Sequence, residues 1–234
     1  MSRPHLIVVT HQRWRADDLA ARADVRIDLG LDTSTVADLD AVLWCPGAWA
    51  AAAVAGHPHL RLSSAGSMWP DRLPIALTGR EVATSAAGEL RRSLRGAQDR
   101  PVFAKLPETK HERFEAKIRA VGELAVELTR LPDDEPVQLQ GPVTFEHEVR
   151  CWVRDGAVVA RAVYFPGTPR ENWPSLDDPV RSAHAGTWLD HALASCHVPV
   201  PPAVVIEVGW CADPVASDPG WRVVEANAPW SSDW

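Results

Sequence analysis

Two strand-like runs near the end of the chain each hold one glutamate among apolar, mostly β-branched residues: Glu207 in VVIEVG and Glu225 in RVVEANAPW. A carboxylate in such a run is costly to bury unless it is paired or bound to a cation. Side chains alternate along a strand, so Glu225 and Asn227 point to the same side. If the two runs form an antiparallel hairpin, both carboxylates can face one site, and something positive must then sit between them. A hard divalent ion such as Mg²⁺ prefers oxygen ligands and often uses only one or two carboxylates plus phosphates. Glu207, Glu225 and Asn227 are therefore candidate metal ligands. The plainer alternative is that each glutamate pairs with an arginine or caps a sheet edge.

Lys105 ends the apolar run PVFAKLP, ahead of a loop that leads into an expected helix start. Backbone N–H groups and the positive end of a helix dipole attract anions there. Lys110 falls in the first turn, where a cation is disfavoured unless an anion offsets it. Together they suggest a phosphate site, against the alternative of a snorkelling Lys105 and a solvated Lys110. No GxxxxGK[ST] run is present, so this is not a P-loop. In EHEVRCWVRDGAVVARAVYF, Glu148 and Arg150 share a strand face, and Arg161 lies on the partner strand across an Asp155-Gly156 turn. Inward arginines suit carboxylate or phosphoryl oxygens. A cross-strand Arg–Glu pair is the ordinary alternative. The HPH run at 57–59 reads as a surface turn, and Cys151 as a packing residue.

Positioning these groups requires a particular series of elements. HLIVVT, DDLAARA, ADVRIDLG and LDAVLWCPG read as strand, helix, strand, strand, which suggests a small α/β layer over residues 1–75. REVATSAAGELRRSLRG reads as a helix ending at Gly96, and RPVFAKLP as a strand. TKHERFEAKIRAVGELAVELTRL reads as one amphipathic helix, with Phe114, Ile118, Val121, Leu124 and Leu128 on its apolar face and a Thr109/Glu112 capping box. Strands follow at PVQLQG, EHEVRCWVRDG and AVVARAVYF, then a helix over GTWLDHALASC at 186–196. PAVVIEVGWC and GWRVVEANAPW are expected to pair as antiparallel strands. The polar stretch 166–186 is a candidate substrate lid. Trp173, Trp188 and Trp230 could line an acceptor pocket, or equally be core or subunit contacts, which leaves a homodimer open.

The 234 residues suffice for one large domain or two small ones. The apolar share of 46% and charged share of 24% are those of a globular protein. A net charge of −7 without a basic block excludes nucleic-acid binding through phosphates and argues against an anionic membrane partner. No run is long and apolar enough to span a bilayer, and LIVV is too short for a signal peptide. The four scattered cysteines fit reduced thiols and a cytoplasmic setting.

Set in order, the lysine strand VFAKL, the strand VQLQG, the EVR segment and the terminal VVIEVG…WRVVEANAPW resemble the ATP-grasp superfamily. The likeness is to its RimK-like ligases, and most of all to the compact R-two-K clade, whose members end in a similar Val-Glu-x-Asn-x-x-Trp run. It covers roughly residues 75–234. It implies an α/β (α+β) ATP-grasp fold whose two lobes, about 76–136 and 137–234, sandwich ATP, preceded by a small pre-grasp domain at 1–75. The implied activity is ATP-dependent ligation of a small-molecule or peptide carboxylate to an amine through an acyl-phosphate. Lys105, with Lys110, would contact the phosphates; the backbone at Gln138, Leu139 and Gln140 would meet adenine. Glu207, Glu225 and Asn227 would hold Mg²⁺, and Arg150 and Arg161 would act on the transferring group. The loop LPETKHERF lacks the family's phosphate-loop glycines. That departure keeps a second reading open, a catalytically weak nucleotide- or partner-binding module.

Overall fold

The computed structural model describes residues 5–10, 17, 41–57, 60, 62–108, 114–163, 179–215 and 218–232. The chain forms two compact units, one of residues 1–63 with 228–234, the other of 64–227.

In the first unit, β1 (His5–Val8) and β2 (Ala41–Trp44) pair in parallel, which requires a crossover between them. The helix α1 (Gly47–Gly56) follows. Val9, Cys45, Trp49, Ala50 and Ala53 form the buried core, joined by Trp230 from the end of the chain. The backbone N–H of Cys45 donates to Trp230 (2.7 Å), and the Trp44 indole donates to the Ser232 carbonyl (2.9 Å). The tail is thus part of this unit. The expected strand ADVRIDLG lies outside the described residues, as does DDLAARA apart from the helical Asp17.

The second unit holds two antiparallel sheets. After the short helix α2 (Ile75–Thr78) come β3 (Val82–Ala86), α3 (Ala87–Ser93), β4 (Pro101–Lys105), β5 (Lys117–Ala120), α4 (Val121–Glu127) and β6 (Pro136–Gln140). The first sheet has the order β3-β6-β4-β5. Its helix-covered face buries Ala104 and Val137 against Leu90, Leu124 and Leu128. Lys105 stands opposite Gln138, and Phe103 opposite Gln140, so all four project from the other face.

Two expectations fail here. Residues 82–86 are a strand rather than the start of a helix, and within the expected helix over 109–131 residues 117–120 are strand β5 and 121–127 are α4, while 109–113 lie outside the described residues. Phe114, Leu124 and Leu128 do share one core, and Val121 is buried as well. Ile118, on the same expected face, is 55% exposed. The interior position is Arg119, whose guanidinium donates to Glu127 (2.9 Å) and to the carbonyls of Ala104 (3.0 Å), Lys117 (3.0 Å) and Glu115 (2.5 Å). It also lies 4.4 Å from the Phe114 ring centroid. Pairing with β4 and this buried fork outweigh local helix preference. The Thr109/Glu112 capping box lies outside the described residues.

β7 (Phe145–Arg154), β8 (Ala157–Val163), the helix α5 (Pro179–Ser195), β9 (Ala203–Cys211) and β10 (Gly220–Asn227) complete the unit. The second sheet runs β10-β9-β7-β8. Ala185, Leu189 and Leu193, four residues apart on α5, pack on Val149, Cys151, Ile206, Val208 and Val223. α5 begins at Pro179, earlier than expected, so the last third of the proposed lid is helix; residues 164–178 lie outside the described set. Asp155, at φ 51°, and Gly156 make the expected hairpin turn. No helix among the described residues is long and apolar enough to cross a membrane.

Candidate functional site

One row of side chains crosses three strands of the second sheet. Arg150 on β7 stands opposite Glu207 on β9, and Glu207 stands opposite Glu225 on β10. Opposed residues share a face, so all three project away from the α5 core. Arg150 donates to Oε1 of Glu207 from Nε (2.9 Å) and from a terminal nitrogen (2.5 Å). Asn227 donates to Glu225 (2.8 Å) and to Glu207 (3.2 Å), bridging the two acids. Lys105, at the end of β4 in the other sheet, pairs with Oε2 of Glu225. The expected strand pairing and the expected convergence of Lys105, Arg150, Glu207, Glu225 and Asn227 are both present.

The register depends on a β-bulge. Val223 faces Val208, yet the next opposed pair is Glu225 with Glu207. Val224 is therefore an extra residue. Were Val224 paired regularly with Glu207, Glu225 would face Ile206 and point into the α5 core, because a slip of one residue turns a side chain to the opposite face.

Burial divides the acids. Glu207, 2% exposed, has its carboxyl raised by burial first and by the Glu225 charge next, against the pull of Arg150. Burial works on Glu225 in the same direction, but the Lys105 charge and hydrogen bonds from Lys105 and Asn227 outweigh it. Glu225 is held below the usual carboxylate range. A third carboxylate, Glu148, shares the face of Arg150; burial, then the Glu225 charge, push it up to about 7 against Arg80, Lys105 and Arg150. Strand alternation had placed Glu148 beside Arg150 without giving it a role.

Arg80 has no counterpart in the sequence reading. Only 2% exposed, it donates from Nε to Gln140 (2.8 Å) and from its terminal nitrogens to the carbonyls of Thr78 (2.7 Å), Val223 (3.1 Å) and Val224 (2.8 Å). Burial lowers its pKa to about 10, still far above neutrality. Its guanidinium lies over the Phe145 ring, 5.0 Å from the centroid. Phe145 needs Gly209 in β9, since a Cβ there would come within 2.5 Å of the ring. A lone arginine in TGRE carries no periodic signal; the nearest cue was Gly79 before it, which adopts φ 69°.

Other expectations change or fall outside view. Arg161 stands opposite Cys151, on the α5 side of the sheet, and its side chain runs past Gly186 of that helix. It is behind the sheet and does not join Arg150. Cys151 is core, with burial pushing its thiol up to about 12. Lys110 and Trp173 lie outside the described residues. Trp188 packs on the α5 core and Trp230 on the first unit's core. Gln138, Leu139 and Gln140 are flanked by β3 on one edge and β4 on the other. Their backbone groups belong to ladders, so a base would meet free backbone only past Gln140.

Among the described residues no group of three His, Cys, Asp or Glu side chains could hold a metal by itself. Two adjacent carboxylates and an amide, with Lys105 and Arg150 beside them, are a partial oxygen set. They fit Mg²⁺, which keeps waters and takes phosphate oxygens to complete its shell.

Residues 77–234 match the ATP-grasp domain, R-two-K clade, family 2. A search of curated proteins returns no match. Among solved structures, the chain is similar to a RimK domain ATP-grasp protein from Sphaerobacter thermophilus (12% identity, 94% of this chain and 90% of that one, TM-score 0.49). It is also similar to the D-alanine–D-alanine ligase of Bacillus anthracis (12% identity, 97% and 87%, TM-score 0.45). A third similar structure is the ATP-grasp ligase PsnB with a minimal precursor, Mg and ADP (14% identity, 100% and 92%, TM-score 0.41). The family match, which spans well over half of the sequence, shows that this chain belongs to the ATP-grasp superfamily, in the R-two-K clade, a group whose members are typically ATP-dependent carboxylate–amine ligases.

Proposed function

We propose that the protein is an ATP-dependent carboxylate–amine ligase that forms an amide through an acyl-phosphate. The observation that carries this reading is the row Arg150–Glu207–Glu225, with Lys105 from the other sheet closing on its end. Phosphoryl transfer asks little covalent chemistry of a protein and much positioning and charge neutralisation. Lys105 would neutralise phosphate oxygens. Glu207, Glu225 and Asn227 would hold Mg²⁺, which when bound supplies positive charge to the triphosphate. Arg150, held by two hydrogen bonds to Glu207, would place its guanidinium charge beside the carboxylate substrate or the transferring phosphoryl group. Glu148, with a pKa near neutrality, suits accepting a proton from the incoming amine.

We assign residues 1–75 to a pre-grasp domain and 76–234 to the grasp domain, with lobes of about 76–136 and 137–234, although the compact units divide after residue 63 and return 228–234 to the first. The two four-stranded sheets support the two lobes, with β6 belonging to the first sheet. The test is a screen of amino acids and short peptides for ADP release that depends on an added amine. The glycine-free loop LPETKHERF favours a second reading, a module that binds nucleotide without turnover. Mg·ATP binding with no amine-dependent ADP release across the screen would select it.

A further inference from the structure

We propose that Arg80 is a positioning residue that pins the β10 bulge and so keeps Glu225 on the face of Glu207. An unpaired bulge residue leaves backbone groups without ladder partners, and buried carbonyls need donors. Arg80 supplies them at Val223 and Val224, the two residues across which the register shifts. No monodentate side chain could do this while holding Gln140, because the task needs the guanidinium's forked donors.

Arg80 is itself fixed from behind. Gln140 Nε2 donates to Gln138 (2.7 Å), and Gln138 Nε2 donates to the Thr84 hydroxyl (3.2 Å). That hydroxyl and the Thr84 N–H both donate to the Asp71 carboxylate (2.9 and 2.6 Å). A polar chain therefore runs from Asp71 through the open face of the first sheet to the β10 bulge. It gives Gln138 and Gln140 a function for their side chains, apart from any contact of their backbone with a base. The importance of the bulge rests on Glu225 serving as a metal ligand, whereas the mechanical role of Arg80 does not.

Arg80→Lys keeps the charge and removes the fork. Hydrogen exchange of the ligand-free protein should show amides of residues 221–227 exchanging about tenfold faster or more, from the loss of charge-assisted bonds. Amides of β7 and β8 should keep wild-type rates. Calorimetry with Mg·ADP should show a matching loss of affinity that is absent when Arg80→Lys is made in a Glu225→Gln background, because the arginine acts through Glu225. Unchanged exchange in 221–227 would overturn the proposal. So would an affinity loss that persists in full in the Glu225→Gln background, which would make Arg80 a direct ligand contact. If wild-type protein binds no Mg·ADP, the ligase reading falls while the exchange measurement still judges Arg80. Should Arg80→Lys fail to fold, Gln140→Leu removes the Arg80 Nε contact together with the link to Gln138 and should raise exchange in the same segment; wild-type protection there would equally overturn the role.

Discussion

Glu207 and Glu225 face each other across the β9–β10 ladder only because Val224 is an extra residue between Val223 and Glu225. The consequence is a row in which each acid has its own cation: Arg150 holds Glu207, Lys105 holds Glu225, and Asn227 links the acids. Such a row is neutralised from within, and a nucleotide and its ion would enter by taking over these pairings.

Glu225→Gln keeps the shape and removes one carboxylate. Changes to outer-shell groups alone typically cost about 10–100-fold in metal affinity, so loss of a ligand should weaken Mg·ADP binding by at least about tenfold. The ligand-free protein should melt close to wild type, since the lost Lys105 pair is offset by relief of repulsion with Glu207. Calorimetry and thermal melts with and without Mg·ADP check both. A large drop in the ligand-free melting point with unchanged affinity would return Glu225 to a structural role.

Arg150 and Arg161, on opposite faces of the sheet, should behave differently. Arg150→Met strips Glu207 of a buried partner and should abolish amine-dependent ADP release, with a stability cost of about 3–5 kcal/mol. Arg161→Ala alters a side chain on the α5 side of the sheet. It should leave turnover within about twofold of wild type and change stability by about 0.5 kcal/mol or less, as for surface sites. Steady-state kinetics and urea unfolding of the pair decide it.

Stability should fall as pH rises toward neutrality. Glu148 has its folded-state pKa raised to about 7 by burial and then by the Glu225 charge, against the pull of Arg80, Lys105 and Arg150. Between its ordinary value of 4.5 and about 7 the folded protein holds a proton that the unfolded chain has lost. Raising the pH through that window removes this contribution. Urea midpoints measured from pH 5 to pH 8 should decline for wild type and decline less for Glu148→Gln. Parallel pH profiles for the two proteins would exclude Glu148 as the source.

Arg119→Met tests the strand that replaced the expected helix. The substitution removes one of two cationic partners of Glu127, which keeps Lys117, and the side-chain donor of three carbonyls. The expected loss is about 3 kcal/mol or more in urea unfolding, because each buried acceptor left without its donor costs about 1–3 kcal/mol. A helical segment would tolerate methionine well, so a loss under about 1 kcal/mol would contradict β5.

The sequence by itself determined the chemistry available: a strand-end lysine, two acids in apolar strands, an arginine two residues from a third acid, and the ATP-grasp order in which they occur. Those signals are local. An acid among β-branched residues is costly wherever the strand lies, and alternation places Asn227 with Glu225 in any sheet. Tertiary structure alone decided which face each strand turned to the site. The Val224 bulge leaves no mark in composition, because it is defined by what lies opposite on β9. Arg161 was lost from the site for the same reason: its partner across the hairpin proved to be Cys151 rather than Arg150. Arg80 and Arg119 were illegible because a buried arginine is recognised by the carbonyls it satisfies, and those come from segments far away in the chain. At 117–120 the helical spacing was present but insufficient, because an open edge of β4 offered the backbone a partner that no local pattern records.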